Sequence, residues 1–253
     1  MSAGAPGAAL ITGAGKRLGR AMALALADAG YDVAVHYNSS SADADAVVSI
    51  IEAKGRRAAA VKADLSKEIE TAALVDAARD ALGPLTVLVN SASAFEHDDM
   101  ASMTRYSWDL HMEVNLRAPV KLAQDFAAQA PTDSLIVNII DQRVLKLTPQ
   151  FLSYTASKAA LFALTQTMAQ ALGPKGVRVN AIGPGPTLKN PRQSDQDWQR
   201  QNQSTILGHG ADPEDICGAL LYLLSARSVT GQMIAVDGGQ HLTWRTADVL
   251  VQE

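Results

Sequence analysis
The chain has 253 residues, 47% of them hydrophobic and 19% charged, with a formal net charge of -4. That length buries a full core without disulfides or metals, and the single cysteine, Cys217, excludes an internal disulfide framework and a cysteine-based zinc site. The mild acidity gives no broad electrostatic reason to bind nucleic acid. Asp28 and Lys158 interrupt the two runs that come nearest to the ~18 uncharged residues of a membrane span, so no membrane partner is expected. The N-terminal stretch lacks the basic-then-apolar order of a secretory signal, and a soluble cytoplasmic protein is expected.

Strand-like apolar runs alternate with segments of helical period along the chain. A run at 8–12 leads into a helix at 20–29, and one at 32–37 into a helix at 43–54. The run at 58–63 precedes a helix at 68–82, 86–90 precedes one at 108–130, and 135–140 precedes one at 154–172. Further runs lie at 177–182 and 233–237, with an apolar helix at 216–224 between them. Nearly continuous apolar strands suit a sheet covered on both faces, and the alternation predicts an α/β, Rossmann-type, doubly wound parallel sheet in one domain, 1–253. The exception is 183–210, rich in Pro, Gln, Asn and Asp, which reads as one long loop. Cys217 reads as a small core residue, and the five histidines show no metal-ligand spacing.

The first strand runs into Thr12, Gly13, Ala14, Gly15, Lys16, Arg17, Leu18 and Gly19, and a helix follows. Glycines there let the backbone approach a pyrophosphate at the positive helix N-terminus; the plainer reading is a tight strand-to-helix connection. NAD usually requires an acid at the end of the second strand to hold the ribose 2′-hydroxyl. This strand ends His36, Tyr37, Asn38, Ser39, Ser40, with no acid and with Lys16 and Arg17 nearby, which favours NADP(H). An ordinary turn capping the next helix is the alternative. Asp64, beside Leu65 after the third strand, is a candidate adenine contact. Tyr154 and Lys158 lie four residues apart on one helix face, where an ammonium favours the phenolate and lowers the tyrosine pKa.

With these in place the chain resembles a short-chain dehydrogenase/reductase over essentially its whole length. The resemblance is carried by the Thr12–Gly19 turn, Asp64-Leu65, Leu88-Val89-Asn90-Ser91-Ala92, Asn115, Tyr154-Thr155-Ala156-Ser157-Lys158, Val179-Asn180, Pro184-Gly185 and Val236-Asp237-Gly238-Gly239. It implies a seven-stranded sheet, with Tyr154 as proton donor, Lys158 as its activator and ribose ligand, and Asn115 holding a water of the proton relay. It also implies cofactor contacts from Asn90, Ser91, Ala92, Ser93 and the segment from Pro184 and Gly185 to Thr187. The departures narrow the branch. Asp141 stands thirteen residues before the tyrosine, where common members carry serine, Arg17 stands where they carry glycine, and Asn90-Ser91-Ala92-Ser93 is followed by Ala94-Phe95. Together these resemble the pteridine reductases, which include the dihydromonapterin reductases.

The chemistry agrees with that branch. A dihydropterin is reduced at a ring C=N bond, and Asp141 beside Tyr154 can supply or relay the proton, its resting protonation being open. Phe95 offers an apolar face to a flat pterin, Arg17 a fork of donors to phosphate or pterin, and Ser93 a hydrogen bond to either. Each also has a bland reading: Asp141 as a strand-end cap in an inactive protein, Phe95 as core, Arg17 as a solvated cation. The segment 186–210 is expected to cover the substrate, with Leu188 and either Trp198 or Leu207 as its outer wall. The resemblance implies a homotetramer or a dimer, with the tail 240–253 reaching a neighbour's pocket; Trp244 stands where pteridine reductases place an arginine, and Arg245 follows. The expected activity is NADPH-dependent reduction of dihydrobiopterin, dihydromonapterin or dihydrofolate. The rivals are a carbonyl reductase and a cofactor-binding regulatory protein without turnover.

Overall fold
Seven strands form one parallel sheet in the order β3-β2-β1-β4-β5-β6-β7 in a computed structural model that describes residues 7–246 and Val249. They are β1 (Ala8–Ile11), β2 (Asp32–Tyr37), β3 (Ala58–Lys62), β4 (Leu85–Asn90), β5 (Ser134–Ile139), β6 (Val177–Pro184) and β7 (Met233–Val236). Every run read as a strand from sequence is one, to within two residues at each end. Their legibility has a simple cause: successive side chains point to opposite faces, and both faces are buried. Ala9 and Ile11 of β1 pack into one core with Met22, Leu26, Val47, Ile51, Ile216 and Leu220. Ala8 and Leu10 pack into the other with Leu74, Val75, Leu122, Phe126 and Ile136.

The helices are α1 (Arg17–Asp28), α2 (Ser41–Ala53), α3 (Glu68–Leu82), α4 (Arg105–Met112), α5 (Ala118–Gln129), α6 (Leu152–Leu172), α7 (Asp195–Gln203) and α8 (Pro213–Ser225). Helices α1, α2 and α8 cover one face of the sheet, and α3, α5 and α6 the other. The stretch expected as one helix over 108–130 is α4 and α5 joined by a wider π turn, Glu113–Arg117, which carries Asn115. Expected as loop, 183–210 holds the extension of β6 to Pro184 and all of α7. Helix α7 carries a single apolar residue, Trp198, among polar ones and buries none of its residues fully, so it has no apolar period to read. Its start is marked by Ser194, whose hydroxyl accepts the Asp197 N–H at 3.0 Å.

The chain order reverses at β1, which pairs β2 on one side and β4 on the other. At such a switch point the turns leave in opposite directions and open a crevice beyond the carboxyl ends of the strands. Remote from it, Arg178 on β6 closes the far end of α8. Its guanidinium donates to the carbonyls of Leu223, Ala226, Val229 and Leu224 at 2.9–3.3 Å, satisfying acceptors that a helix end leaves open. Arg178→Met is expected to cost about 2–3 kcal/mol and to lower Tm by roughly 5–10 °C. Calorimetry checks this, with cofactor affinity unchanged.

Candidate active site
The carboxyl ends of the strands border an open cleft of about 1090 Å³. At the β1 end, Gly13 has a left-handed backbone (φ +66), and a Cβ there would stand 3.0 Å from Ala92 Cα. A Cβ on Gly19 would stand 2.2 Å from the Gly13 carbonyl oxygen. Backbones this close leave a cradle that side chains would fill, and the cradle opens on the N-terminus of α1, as a pyrophosphate requires. The Thr12 hydroxyl accepts the N–H groups of Ser91 and Ala92 at 2.9 and 3.0 Å, lacing the β1 and β4 turns together. His36 fixes the turn from the other side. Its Nδ1 accepts the Gly13 N–H at 2.9 Å and its Nε2 donates to the Ala63 carbonyl at 3.0 Å. Burial pushes the imidazole down to about 4, so it stays neutral in this one tautomer.

Of the expected cofactor residues, Gly13, Lys16, Arg17, Leu18, His36, Asn38, Ser91, Ala92, Ser93, Lys158, Pro184, Gly185 and Thr187 line the cleft. Tyr37, Ser39 and Ser40 lie outside its lining. Asn90 is buried beneath the floor, donating to Asn138 at 2.9 Å. Asp64 is outside the lining; its carboxylate accepts the Ser66 hydroxyl and N–H at 2.7 and 3.0 Å and starts the turn into α3. Leu65 is buried next to that turn, against the α3–α5 side.

The candidate reacting groups stand at the β5 end. Tyr154 Oη donates to Asp141 Oδ2 at 2.9 Å, Asp141 Oδ1 accepts the Arg143 N–H at 2.8 Å, and Lys158 Nζ donates to the Ile139 carbonyl at 2.8 Å. The expected electrostatics of the tyrosine–lysine pair are corrected here. Burial first, and the Asp141 carboxylate second, hold the Tyr154 phenol above its ordinary range. Burial likewise raises Asp141 and lowers Lys158 to about 8. The ammonium does stand near the tyrosine, 5.8 Å from the ring centroid, as the four-residue spacing predicts. In the fold the phenol faces an acid, and the ammonium is held by a backbone carbonyl. Tyr154 and Asp141 therefore keep their protons more firmly than in water, while Lys158 gives its proton up more readily, and a phenol held in its protonated form suits a proton donor better than a phenolate base.

Asn115 makes four side-chain hydrogen bonds. Its Oδ1 accepts the Ala94 N–H at 2.8 Å and the Ser93 hydroxyl at 3.2 Å, and its Nδ2 donates to the Ala94 carbonyl at 2.9 Å and Ser157 Oγ at 3.2 Å. Completely buried and fully partnered, it pins the loop that carries Ser93 and Phe95. Phe95 is not a bare platform: its ring stacks on Phe151 at 4.5 Å and 7°, and meets the edge of Tyr154 at 4.6 Å. Phe151, which the sequence did not single out, takes a left-handed backbone (φ +56) with its N–H on the Asp98 carbonyl at 2.7 Å. The guanidinium of Arg143 lies 5.0 Å over the Phe151 ring.

Two arginines strap the 186–210 segment over this wall. Arg17 donates to the carbonyls of Leu188 and Lys189 at 2.9 and 3.0 Å, so its fork is engaged with the loop. Arg192 donates to Glu96 Oε2 and the Phe95 carbonyl, each at 2.6 Å. Leu188 and Trp198 line the cleft as expected. Leu207 does not: it is 66% exposed, and its N–H bonds the Gly238 carbonyl. Gln142, Arg143, Arg192, Gln193, Gln201 and Gln240 are among the other lining residues and carried no motif to announce them. Trp244 of the tail is 58% exposed, with the Arg245 guanidinium 6.0 Å from its ring; 247, 248 and 250–253 of the expected tail lie outside the described residues.

A family model described as enoyl-(acyl carrier protein) reductase matches residues 13–241. Among solved structures, FolM alternative dihydrofolate reductase 1 from Brucella suis, in complex with NADP, is 45% identical with a TM-score of 0.92. The match covers 96% of this chain and 98% of that one. The angucycline C-6 ketoreductase LanV with bound NADP is 30% identical with a TM-score of 0.88, covering 93% and 96%. The 3-oxoacyl-(acyl-carrier-protein) reductase FabG of Staphylococcus epidermidis is 33% identical over 241 residues, 92% of this chain and 98% of the relative.

Two outcomes follow from the geometry. Gly13→Ala forces a side chain into a left-handed backbone against Ala92, and NADPH titration is expected to show binding weakened about tenfold or more. Lys158 is charged below about pH 8 and loses its charge as pH rises through that value. The affinity of the cofactor-free protein for NADPH should accordingly fall above about pH 8, and an affinity flat to pH 10 would contradict the assignment.

Proposed function
The chain belongs to the short-chain dehydrogenase/reductase family, and we propose that it uses NADPH to reduce a dihydropteridine to the tetrahydro form. The observation that carries this reading is the buried hydrogen bond between Tyr154 and Asp141 at a position where many relatives have serine. A serine hydroxyl suits a ketone oxygen. A carboxyl kept toward its protonated form suits a ring nitrogen, which must receive a whole proton as the C=N bond is reduced.

When bound, the cofactor supplies a hydride to the ring carbon of the substrate. Gly13, Leu18 and the N-terminus of α1 hold its phosphates, Asn38 and Lys16 serve the 2′-phosphate side, and Lys158 holds the nicotinamide ribose. Ser91, Ala92 and the segment from Pro184 to Thr187 flank the nicotinamide. Ser93 and Phe95 orient the pterin, the Arg17-bound Leu188 closes over it, and Tyr154 with Asp141 hands over the proton. The FolM relative, with its name and its bound NADP, supports both halves of the reading. The carbonyl reductase reading is kept as second because ketoreductases and FabG match the same span. A homo-oligomer in the cytoplasm belongs to the same proposal: β7 ends the sheet with all four residues only half-buried, a face that a second copy would cover. A monomer by sedimentation would refute that part.

The deciding assay follows NADPH oxidation with dihydrobiopterin, dihydromonapterin and dihydrofolate beside simple ketones and quinones. Dihydropteridine turnover is expected, with kcat falling roughly 10²–10⁴-fold in Tyr154→Phe and at least tenfold in Asp141→Ser. Turnover of ketones alone, or tight NADPH binding with no turnover of anything, would sink the proposal.

A further inference from the structure
Behind Tyr154 lie two buried titratable side chains that the reaction above does not use, Asp98 and His111, with Ser153 between them. Asp98 belongs to the loop after β4, His111 to α4 and Ser153 to the first turn of α6, just ahead of Tyr154. Asp98 caps α6 from 55 residues earlier in the chain. Its carbonyl accepts the N–H groups of Phe151 and Leu152 at 2.7 and 3.3 Å, and its Oδ1 accepts the Ser153 N–H at 3.1 Å. A helix start leaves such donors open, and Phe151 at the cap position has no side-chain acceptor to offer them.

The bonds that join the three side chains run in one direction. The Glu96 N–H donates to His111 Nε2 at 3.0 Å, and a backbone N–H never accepts, so Nε2 carries no hydrogen. The ring then bears its hydrogen on Nδ1 and donates it to Ser153 Oγ at 2.7 Å. Ser153 in turn donates to Asp98 Oδ2, a carboxylate oxygen that only accepts. Electrostatics agree at both ends. Burial keeps the imidazole below its ordinary range. Burial opposes the charge of Asp98, but the Ser153 hydroxyl and N–H outweigh it and hold the carboxyl below its ordinary range. The far end of the chain is the wall of the site. Glu96 follows Phe95, whose ring stacks on Phe151 at 4.5 Å and meets the Tyr154 ring at 4.6 Å, and the His111 ring stands 5.9 Å from that of Tyr154.

We propose that Asp98 is a positioning residue for Tyr154: its carboxylate directs the chain through Ser153 so that His111 offers a lone pair to the Glu96 N–H, which holds Phe95 against the phenol ring. The inference rests on Tyr154 as the proton donor, which the dihydropteridine and carbonyl readings share. An amide at position 98 accepts at one atom only. With its oxygen kept on the Ser153 N–H, its nitrogen donates to Ser153 Oγ, and the hydroxyl turns to donate to His111 Nδ1. The ring hydrogen moves to Nε2, opposite the Glu96 N–H. Two donors then face each other, and the loop carrying Phe95 and Glu96 loses its tie to α4.

The test reads the His111 tautomer by nitrogen NMR of the imidazole, with His111→Phe to assign its signals, beside NADPH-dependent turnover of whichever substrate the wild type reduces. The wild type is expected to show the Nδ1–H tautomer and Asp98→Asn the Nε2–H tautomer. Asp98→Asn and His111→Phe should each lower kcat/KM about tenfold, with NADPH affinity unchanged. Ser153→Ala removes two of the three bonds of the chain but leaves Nε2 to accept from Glu96, and it should lower kcat/KM only about threefold. A role in stability alone gives the reverse order, because the turned chain of Asp98→Asn keeps two bonds and Ser153→Ala keeps one. An Nε2–H tautomer in the wild type overturns the inference, as does an unchanged tautomer or an undiminished kcat/KM in Asp98→Asn. Should Asp98→Asn fail to fold, a wild-type kcat/KM in His111→Phe overturns it. A wild type that turns over no substrate defeats the proposed function and with it the role given to Asp98, whereas the tautomers report on the chain without turnover, which separates the two failures.

Discussion
Three titratable side chains, Asp141, Tyr154 and Lys158, share one buried corner, and water is too scarce there to stabilise all their charged forms. The 2.9 Å bond from the phenol to the carboxylate is the compromise on which the site depends. It lets one proton serve two oxygens, while Lys158 Nζ donates to the Ile139 carbonyl and stands 5.8 Å from the centroid of the Tyr154 ring. Everything nearby holds this arrangement still. The sheet delivers Asp141 at the end of β5, and α6 presents Tyr154 and Lys158 one turn apart. The Phe95–Phe151 stack closes the corner from the solvent side.

The wall of that corner is assembled from segments that no single element controls. Asn115, set in a π turn rather than a regular helix, uses every bonding position of its amide to pin Ser93, Ala94 and Ser157. Asp98 accepts backbone N–H groups from Phe151 and Ser153, and His111 Nδ1 meets the Ser153 hydroxyl at 2.7 Å. The loop after β4, the α4 helix and the start of α6 are thereby one unit, so a change in any of them reaches Tyr154.

The strands were legible because a parallel sheet buried on both faces demands unbroken apolar runs, and few other structures do. Helix α7 was not, because Trp198 is its single apolar residue and one residue makes no period; only Ser194 and Asp197 marked its start. Asp141, Tyr154 and Lys158 stood out by type and spacing, but the direction of the tyrosine's pKa did not, since four-residue spacing says nothing of burial. Asp64 forms a short turn to Ser66, a local device that looks the same whether or not a ligand lies near. Phe151, Gln142 and Arg143 sit in turns, and their importance comes from what the tertiary fold brings against them.

The bond from the Gly13 N–H to His36 has a kinetic meaning. A glycine-rich turn in a free chain samples many shapes, of which a ligand can use few, and its apparent affinity falls by the unused fraction. Here the buried imidazole and the Thr12 hydroxyl hold the turn in one shape before anything arrives. One amide is withdrawn from the ligand in exchange, leaving those at the start of α1 to meet it. Association at this site is governed by encounter and orientation rather than by rearrangement of the loop.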